Sequence, residues 1–334
     1  MGELKNNFSW SNSRNQTFND CKRKYFYSYY GYWNGWGGKY MWDKEKDPEK
    51  LRRRLIYQYK NMTSLDLVFG SSVHEEAKQL VLAPSLDKTV MADYVKQKLH
   101  NACVHYIGDE NWKDDPKTNP ALVELVYGGG WSSESTKKAV ANIKMKMSSL
   151  GNFFDLESYK ELVNGNVDKK LEIDEPFNDK TMVGVFQIED SIPFNVFAKI
   201  DYLYLRSDGM YVITDWKTNK RDFDKRNPEQ YRQLYIYADY ASRKYNIPLE
   251  KMICRYENVI TGHTDENSVT KYDIQEIEDY IRFSAEDMKS YVVECDISED
   301  HNVALPETSY SMTQTAKCKL CNFRNICGSN CGES

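Results

Sequence analysis

What the chain lacks narrows the field first. No stretch of its 334 residues approaches the roughly 20 apolar residues that cross a bilayer. The opening Met-Gly-Glu-Leu-Lys-Asn also has no apolar core of a signal peptide. Both absences predict a soluble, cytoplasmic protein in a reducing compartment, with no membrane partner. Excess positive charge is missing too: the net charge is −5, so a polyanion would have to be held by local basic patches rather than by the overall field. Internal repeats and low-complexity tracts are absent. Hydrophobic residues make up 40% of the chain, enough to bury one large core or two modest ones.

The most informative positive feature lies in two runs, residues 196–205 and 210–218, which read as the arms of one β-hairpin. In the second arm, Asp215-Trp216-Lys217 puts a carboxylate and an ammonium two residues apart, on the same face of a strand. The linker Ser207-Asp208-Gly209 decides where Asp201 falls. A three-residue loop with Gly209 left-handed sets Asp201 opposite Asp215, whereas a two-residue Asp-Gly turn sets it opposite Trp216. Two carboxylates on adjacent apolar strands repel one another and lose hydration unless a cation lies between them, and a hard divalent ion such as Mg²⁺ supplies that charge. Such an ion activates water and neutralises charge on a phosphodiester, while Lys217 can orient the water or stabilise an oxyanion. The competing reading is a solvated strand end with an ordinary Asp–Lys pair.

Cysteine spacing is the second signal. Cys318-x2-Cys321-x5-Cys327 has metal-ligand spacing, and in a reducing compartment such a cluster favours metal over disulfide. Three thiolates leave a tetrahedral or cubane site one ligand short, with Cys331 and the distant Cys21 as candidates for the fourth. Zinc is the plainer alternative, although its four-cysteine sites usually carry two local knuckles. Cys103, Cys254 and Cys295 read as buried small hydrophobes.

Along the chain, residues 8–30 read as a helical entry carrying Cys21. Ser72 and Glu75 fit a capping box, which predicts a helix starting there with His74 in its first turn and its ring held neutral by the helix N-terminus. Residues 76–165 read as mostly helical, and strands begin at residue 171. A basic loop after the hairpin, including Lys220, leads to a helix with Pro228 at its first position. On that helix Tyr231, Leu234, Ala238 and Ala241 face the core. Gln233 and Tyr237 share a neighbouring face that could reach the metal site or a phosphate, although a tyrosine there is more readily an ordinary packed one.

In this order the pieces resemble the RecB-like, iron–sulfur branch of the PD-(D/E)XK nuclease superfamily, which includes AddB-type, exonuclease V-type and CRISPR-adaptation nucleases. The resemblance rests on Ser11-Asn12-Ser13, Phe18-x2-Cys21, Gly70-x3-His74, Ile200-Asp201, Asp215-Trp216-Lys217-Thr218, Gln233-x3-Tyr237 and the cysteine trio. It implies an α/β fold with a restriction-endonuclease-like core, a mixed central sheet flanked by helices. It also implies a large helical insertion, and an iron–sulfur module joining the N- and C-terminal segments. The corresponding division is 1–34 with 300–334 for the split module, 35–170 for the helical region carrying His74, and 171–299 for the catalytic core.

By the same resemblance His74, Asp201, Asp215 and the carbonyl of Trp216 ligate Mg²⁺ or Mn²⁺, and Lys217 acts on the nucleophilic water. Gln233 and Tyr237 position substrate, and Cys21, Cys318, Cys321 and Cys327 hold a [4Fe–4S] cluster. Two departures stand out: Phe197-Ala198-Lys199 replaces a frequent glycine, and Cys331 is surplus. The implied activity is a metal-dependent deoxyribonuclease acting on single-stranded DNA or DNA ends, as an exonuclease before an endonuclease. Roles in repair, defence or adaptation all fit. The alternative is a non-cutting DNA-binding or assembly subunit that recruits a helicase or integrase, with an RNA-directed nuclease as a third reading. For DNA contact, Trp33, Trp36, Tyr40 and Trp42 with Arg52, Arg53 and Arg54 form either a stacking and phosphate-tracking surface or an inward-packed insertion.

Overall fold

A computed structural model describes residues 6–106, 110–176, 182, 184–188, 194–222, 228–293 and 303–328. The chain begins with β1 (Ser9–Trp10), α1 (Asn12–Asp20) and α2 (Lys22–Phe26), which runs on into a π-helical turn, Tyr27–Gly31. Helices follow: α3 (Lys39–Trp42), α4 (Pro48–Lys60), α5 (Leu65–Leu82), α6 (Val90–Tyr106), α7 (Val123–Gly128), α8 (Glu134–Met147) and α9 (Glu157–Val163). The strands come next as β2 (Val167–Ile173), β3 (Val185–Ile188), β4 (Phe194–Phe197), β5 (Tyr202–Arg206) and β6 (Tyr211–Lys217). Then come α10 (Pro228–Tyr245), β7 (Met252–Asn258), β8 (Thr264–Ser268) and α11 (Lys271–Lys289). None of the described helices is long and apolar enough to cross a membrane.

The strands form a five-stranded sheet of order β2-β5-β6-β7-β8 and a three-stranded sheet of order β1-β4-β3. Both are mixed: β6 runs parallel to β7 and β1 parallel to β4, while the other pairs are antiparallel. Two parallel strands cannot be joined by a tight turn, and α10 makes the crossover from β6 to β7. Helices cover both faces of the larger sheet. Leu203, Ile213 and Cys254 pack on one side with α10 and α11, whereas Tyr202, Val212 and Trp216 pack on the other with residues of α5 and α6. This is the expected mixed α/β architecture with helices flanking mixed sheets.

Three local expectations need correction. Residues 196–205 are not one arm. The run divides into β4 and β5 in different sheets, with Ala198 N donating to Gly184 O and Asp174 N donating to Ile200 O where the chain crosses over. Both halves are buried, so the apolar run looks continuous although the strand is not. The helix carrying His74 starts well before Ser72: Ser64 is its N-cap, accepting from Leu67 N at 3.2 Å. Ser72 Oγ instead donates back to Val68 O at 2.6 Å, and His74 sits in mid-helix. Finally, the strand region opens at Val167 rather than at residue 171.

The first and last described segments pack together. Arg23 Nε donates to Tyr310 O at 2.9 Å, and Lys317 Nζ meets both carboxylate oxygens of Asp20 at 2.9 Å across 297 positions of sequence. Tyr27 stacks obliquely on Phe323 with ring centres 5.0 Å apart.

Candidate active site

The site is built on the end of the β5–β6 hairpin. Gly209 has φ +85°, a conformation that costs an L-residue energy and a glycine little. Gly209 N donates to Arg206 O, and Arg206 N to Met210 O, closing a three-residue loop. The register follows: Tyr202 pairs with Thr214 and Leu203 with Ile213, so Asp201 stands opposite Asp215. Of the two registers open to the sequence, the structure has this one.

Both carboxylates are withdrawn from water, Asp201 at 6% and Asp215 at 2% exposure. A charge so buried must be compensated, and each is. Asp201 Oδ1 lies 3.1 Å from His74 Nδ1, and Asp201 Oδ2 accepts from Trp216 N at 2.8 Å. Asp215 Oδ2 lies 2.6 Å from Lys217 Nζ, which also donates to Gln233 Oε1 at 3.0 Å. Gln233 Nε2 in turn donates to the Tyr237 hydroxyl at 2.5 Å. The structure therefore brings His74, Asp201, Asp215, Lys217, Gln233 and Tyr237 into one chain of contacts, with Trp216 as its backbone donor. α5 delivers the imidazole from one side of the sheet and α10 the amide and phenol from the other.

Electrostatics follow from this geometry. Burial pushes the Asp201 carboxyl up, but His74, Lys217 and the Trp216 N–H outweigh it and hold the group below the usual carboxylate range. Burial also pushes Asp215 up, and although Lys217 opposes this, the Asp201 charge reinforces it, leaving Asp215 above its ordinary value. Burial lowers both Lys217 and His74, yet the two aspartates raise them overall. The expected neutral ring at a helix N-terminus is thus replaced by an imidazole inside a helix, drawn towards its charged form by Asp201.

Among the described residues no group of three or more His, Cys, Asp or Glu side chains stands in a ligating arrangement. The His74–Asp201–Asp215 triad is not preformed, because each carboxylate is turned to its own cationic partner. The donor set itself fits a hard divalent ion: two carboxylates on neighbouring strands with an imidazole against one of them. Cys21, Cys318, Cys321 and Cys327 are all unbridged and line one pocket. Among the described residues Arg23, Lys24, Lys317 and Arg324 line it too, with Asp20 as the one acid. Thr315 N also points at Cys318 Sγ, 3.5 Å away. Burial pushes the Cys321 thiol up, and the basic lining supplies the charge that an anionic, thiolate-bound centre would need, so the donor set fits one. Cys331 and Cys295 lie outside the described residues.

Of the two readings of the aromatic and arginine segment, inward packing accounts for most of its side chains. Arg54 is buried and its guanidinium caps the carbonyls of Gly35, Gly37, Lys113 and Asp114. Arg52 donates to Tyr27 OH, Glu307 and Ile326 O. Arg53, with a side chain 47% exposed, faces solvent beside Glu49. Trp36 is half-buried, edge-on to Trp33 at 5.2 Å, and Trp42 is buried beneath Arg54. Lys220 is exposed in the loop after β6, which Asn258 holds by donating to Asn219 O at 3.0 Å.

Sequence reasoning missed Glu257. This fully buried carboxyl on β7 accepts from Ser158 N at 2.8 Å, from Ser158 Oγ at 2.5 Å and from Trp216 Nε1 at 3.1 Å. It anchors the indole of Trp216, the residue between Asp215 and Lys217 in β6, on the opposite face of the strand. A signal was present: Arg255 and Glu257 are two charges inside an otherwise strand-like run, and charges rarely enter such a run without partners.

A family model described as the PD-(D/E)XK nuclease superfamily matches residues 9–328. Comparison with curated proteins gives no match.

Proposed function

The chain belongs to the PD-(D/E)XK nuclease superfamily, and on that premise we propose that it is a metal-dependent deoxyribonuclease of the RecB-like, iron–sulfur kind. Its reaction would be hydrolysis of a phosphodiester by in-line attack of water. The observation that carries this reading is the meeting of His74, Asp201, Asp215 and Lys217 at one end of the sheet. Bound there by His74, Asp201, Asp215 and the Trp216 carbonyl, Mg²⁺ or Mn²⁺ would supply an activated water and positive charge for the developing phosphorane.

The chain's own groups do the rest. Lys217, anchored by Asp215 and Gln233, would orient the water and offset charge on a non-bridging oxygen. Gln233 and Tyr237 would hold the neighbouring phosphate or sugar, since they are already linked to Lys217 in series. Single-stranded DNA and DNA ends are the proposed substrates, trimmed from the end in preference to internal cutting, with Arg53, Trp36 and Lys220 as outlying contacts. Cys21, Cys318, Cys321 and Cys327 would hold a [4Fe–4S] cluster that braces the paired terminal segments and does no chemistry on DNA.

Incubating the protein with Mg²⁺ or Mn²⁺ and end-labelled single-stranded DNA, beside Asp215→Ala, tests the enzyme reading. Loss of full-length DNA in the wild type alone supports it, and equal recovery from both rejects it. Iron and sulfide analysis of anaerobically purified wild type and Cys21→Ala tests the cluster. Stoichiometric zinc without iron would reject that assignment.

A further inference from the structure

A cavity of about 280 Å³ opens beside Gln233 and Tyr237. It is bounded on one side by Ser11, Ser13 and Gln16 at the start of α1, and on another by Lys199, two residues before Asp201. The chain carries 50 acidic against 45 basic residues, yet none of the described residues lining this cavity is acidic. Its floor is largely apolar, with Phe197, Ile236 and the Tyr237 ring, and one ammonium with hydroxyl and amide groups stands around it, a set of donors suited to an anion beside an apolar sugar or base.

The cavity also adjoins the catalytic contacts directly. Gln233, which lines it, accepts from Lys217 Nζ at 3.0 Å. A strand whose scissile phosphate lies at Asp201 and Asp215 therefore has its next phosphodiester within reach of this wall. Lys199 pairs with Asp174 and keeps a side chain 43% exposed. An ammonium carries three donors, so one carboxylate partner leaves capacity for a phosphate oxygen.

We propose that this cavity is a subsite for the phosphodiester adjacent to the scissile one, with Lys199 as its anchoring cation and the Ser11–Ser13 hydroxyls as neutral donors. The proposal rests on the nuclease reading and adds the wall that holds the strand in register. Phosphate contacts position a strand without reading its sequence, so Lys199 is a positioning residue and carries no step of the hydrolysis.

The test measures binding and cutting separately. Fluorescence anisotropy of a labelled oligothymidylate, in Ca²⁺ buffer over a NaCl series, is compared for wild type, Lys199→Gln and Lys199→Arg. The glutamine variant should bind about tenfold more weakly at low salt, with the slope of log K against log salt reduced by about 0.7, one phosphate's share on single strands. The arginine variant should match the wild type. In Mg²⁺ the glutamine variant should show a raised KM and a kcat within about twofold of wild type, and equal melting temperatures would exclude misfolding. An unchanged slope and KM in Lys199→Gln, while the wild type still cuts, overturns the subsite and leaves the nuclease reading intact. A Lys199-dependent slope in a protein that never cuts DNA removes the catalytic reading and overturns the subsite as defined, leaving a phosphate contact with no scissile neighbour. Absence of any DNA binding removes both.

Discussion

His74 and Asp201, 127 positions apart in sequence, meet at 3.1 Å between Nδ1 and Oδ1. One comes from mid-helix and the other from the head of a strand, so the contact reports how α5 is seated on the sheet. Replacing His74 with alanine keeps a good helix former in α5 and leaves Asp201 in place. The Mn²⁺ or Mg²⁺ concentration for half-maximal cleavage should rise on the order of 10–100-fold, with DNA binding in EDTA unchanged. Metal titration of cleavage rates checks this, and identical metal dependence in both proteins would remove His74 from the ligand set.

Glu257 should be a stability residue with a catalytic echo. Glu257→Ala strips three buried donors of their acceptor and should cost about 3 kcal/mol or more in urea melts. Glu257→Gln, which keeps one acceptor oxygen, should cost less. If the indole of Trp216 helps hold the strand between Asp215 and Lys217, cleavage by the folded alanine variant should also fall at saturating metal.

A second buried cluster sets an acid limit. Burial raises Glu161, but hydrogen bonds from Arg255, Tyr204 and Arg206 and the charge of Arg255 outweigh it, holding its carboxyl below the ordinary value. A group lowered in the folded state stabilises fully above its unfolded pKa, about 4.3, and loses that contribution as pH falls through the folded value. Wild-type stability should therefore decline below about pH 4.3. Glu161→Gln should be less stable at pH 7 and show a shallower decline. Urea midpoints at pH 7, 5, 4 and 3 decide it, and parallel profiles would refute the assignment.

The three consecutive arginines of α4 should behave as three different residues. Arg54→Ala leaves four capped carbonyls without their donor and should lower stability by roughly 2–3 kcal/mol. Arg53→Ala should change stability by less than about 0.5 kcal/mol and act, if at all, on the salt dependence of DNA binding. Thermal melts and anisotropy on the two single variants separate these effects.

Gly70 lies one turn before His74 in α5. A Cβ built there would meet Thr218 Oγ1 at 3.4 Å, an ordinary contact. Gly70→Ala should therefore be tolerated and should stabilise by about 0.5–1 kcal/mol. A marked loss of stability would show that α5 packs more tightly on the end of β6 than this contact implies.

The hairpin was legible because its chemistry is local. Gly209 favours the left-handed turn, the turn fixes the register, and the register sets Asp201 opposite Asp215. His74 was misplaced because Ser72 and Glu75 imitate a capping box in mid-helix, while the true cap, Ser64, has Leu67 rather than an acid three residues on. Only burial of Leu65, Phe69 and Val73 in one core selects the earlier start. The division between β4 and β5 is invisible in sequence because the apolar run from Val196 to Leu205 continues through it, interrupted only by Lys199 and Asp201. The two readings of Arg54, phosphate-tracking or packed inward, stayed open because nothing nearby in the chain announces the four carbonyls it caps. The lining of the Lys199 cavity draws on α1, β4 and the crossover before β5, and α10, and no single stretch of sequence contains it.

The parallel pairing of Ser9–Trp10 with Asn195–Val196 has a temporal consequence. At roughly 5–20 residues per second, a ribosome needs on the order of ten seconds or more to deliver the partner of β1, and Trp10 bonds to Ser284, 274 positions downstream, which emerges later still. Over that interval Ser9–Trp10 has neither partner, so this corner of the smaller sheet closes only after the larger sheet's central strands have been made.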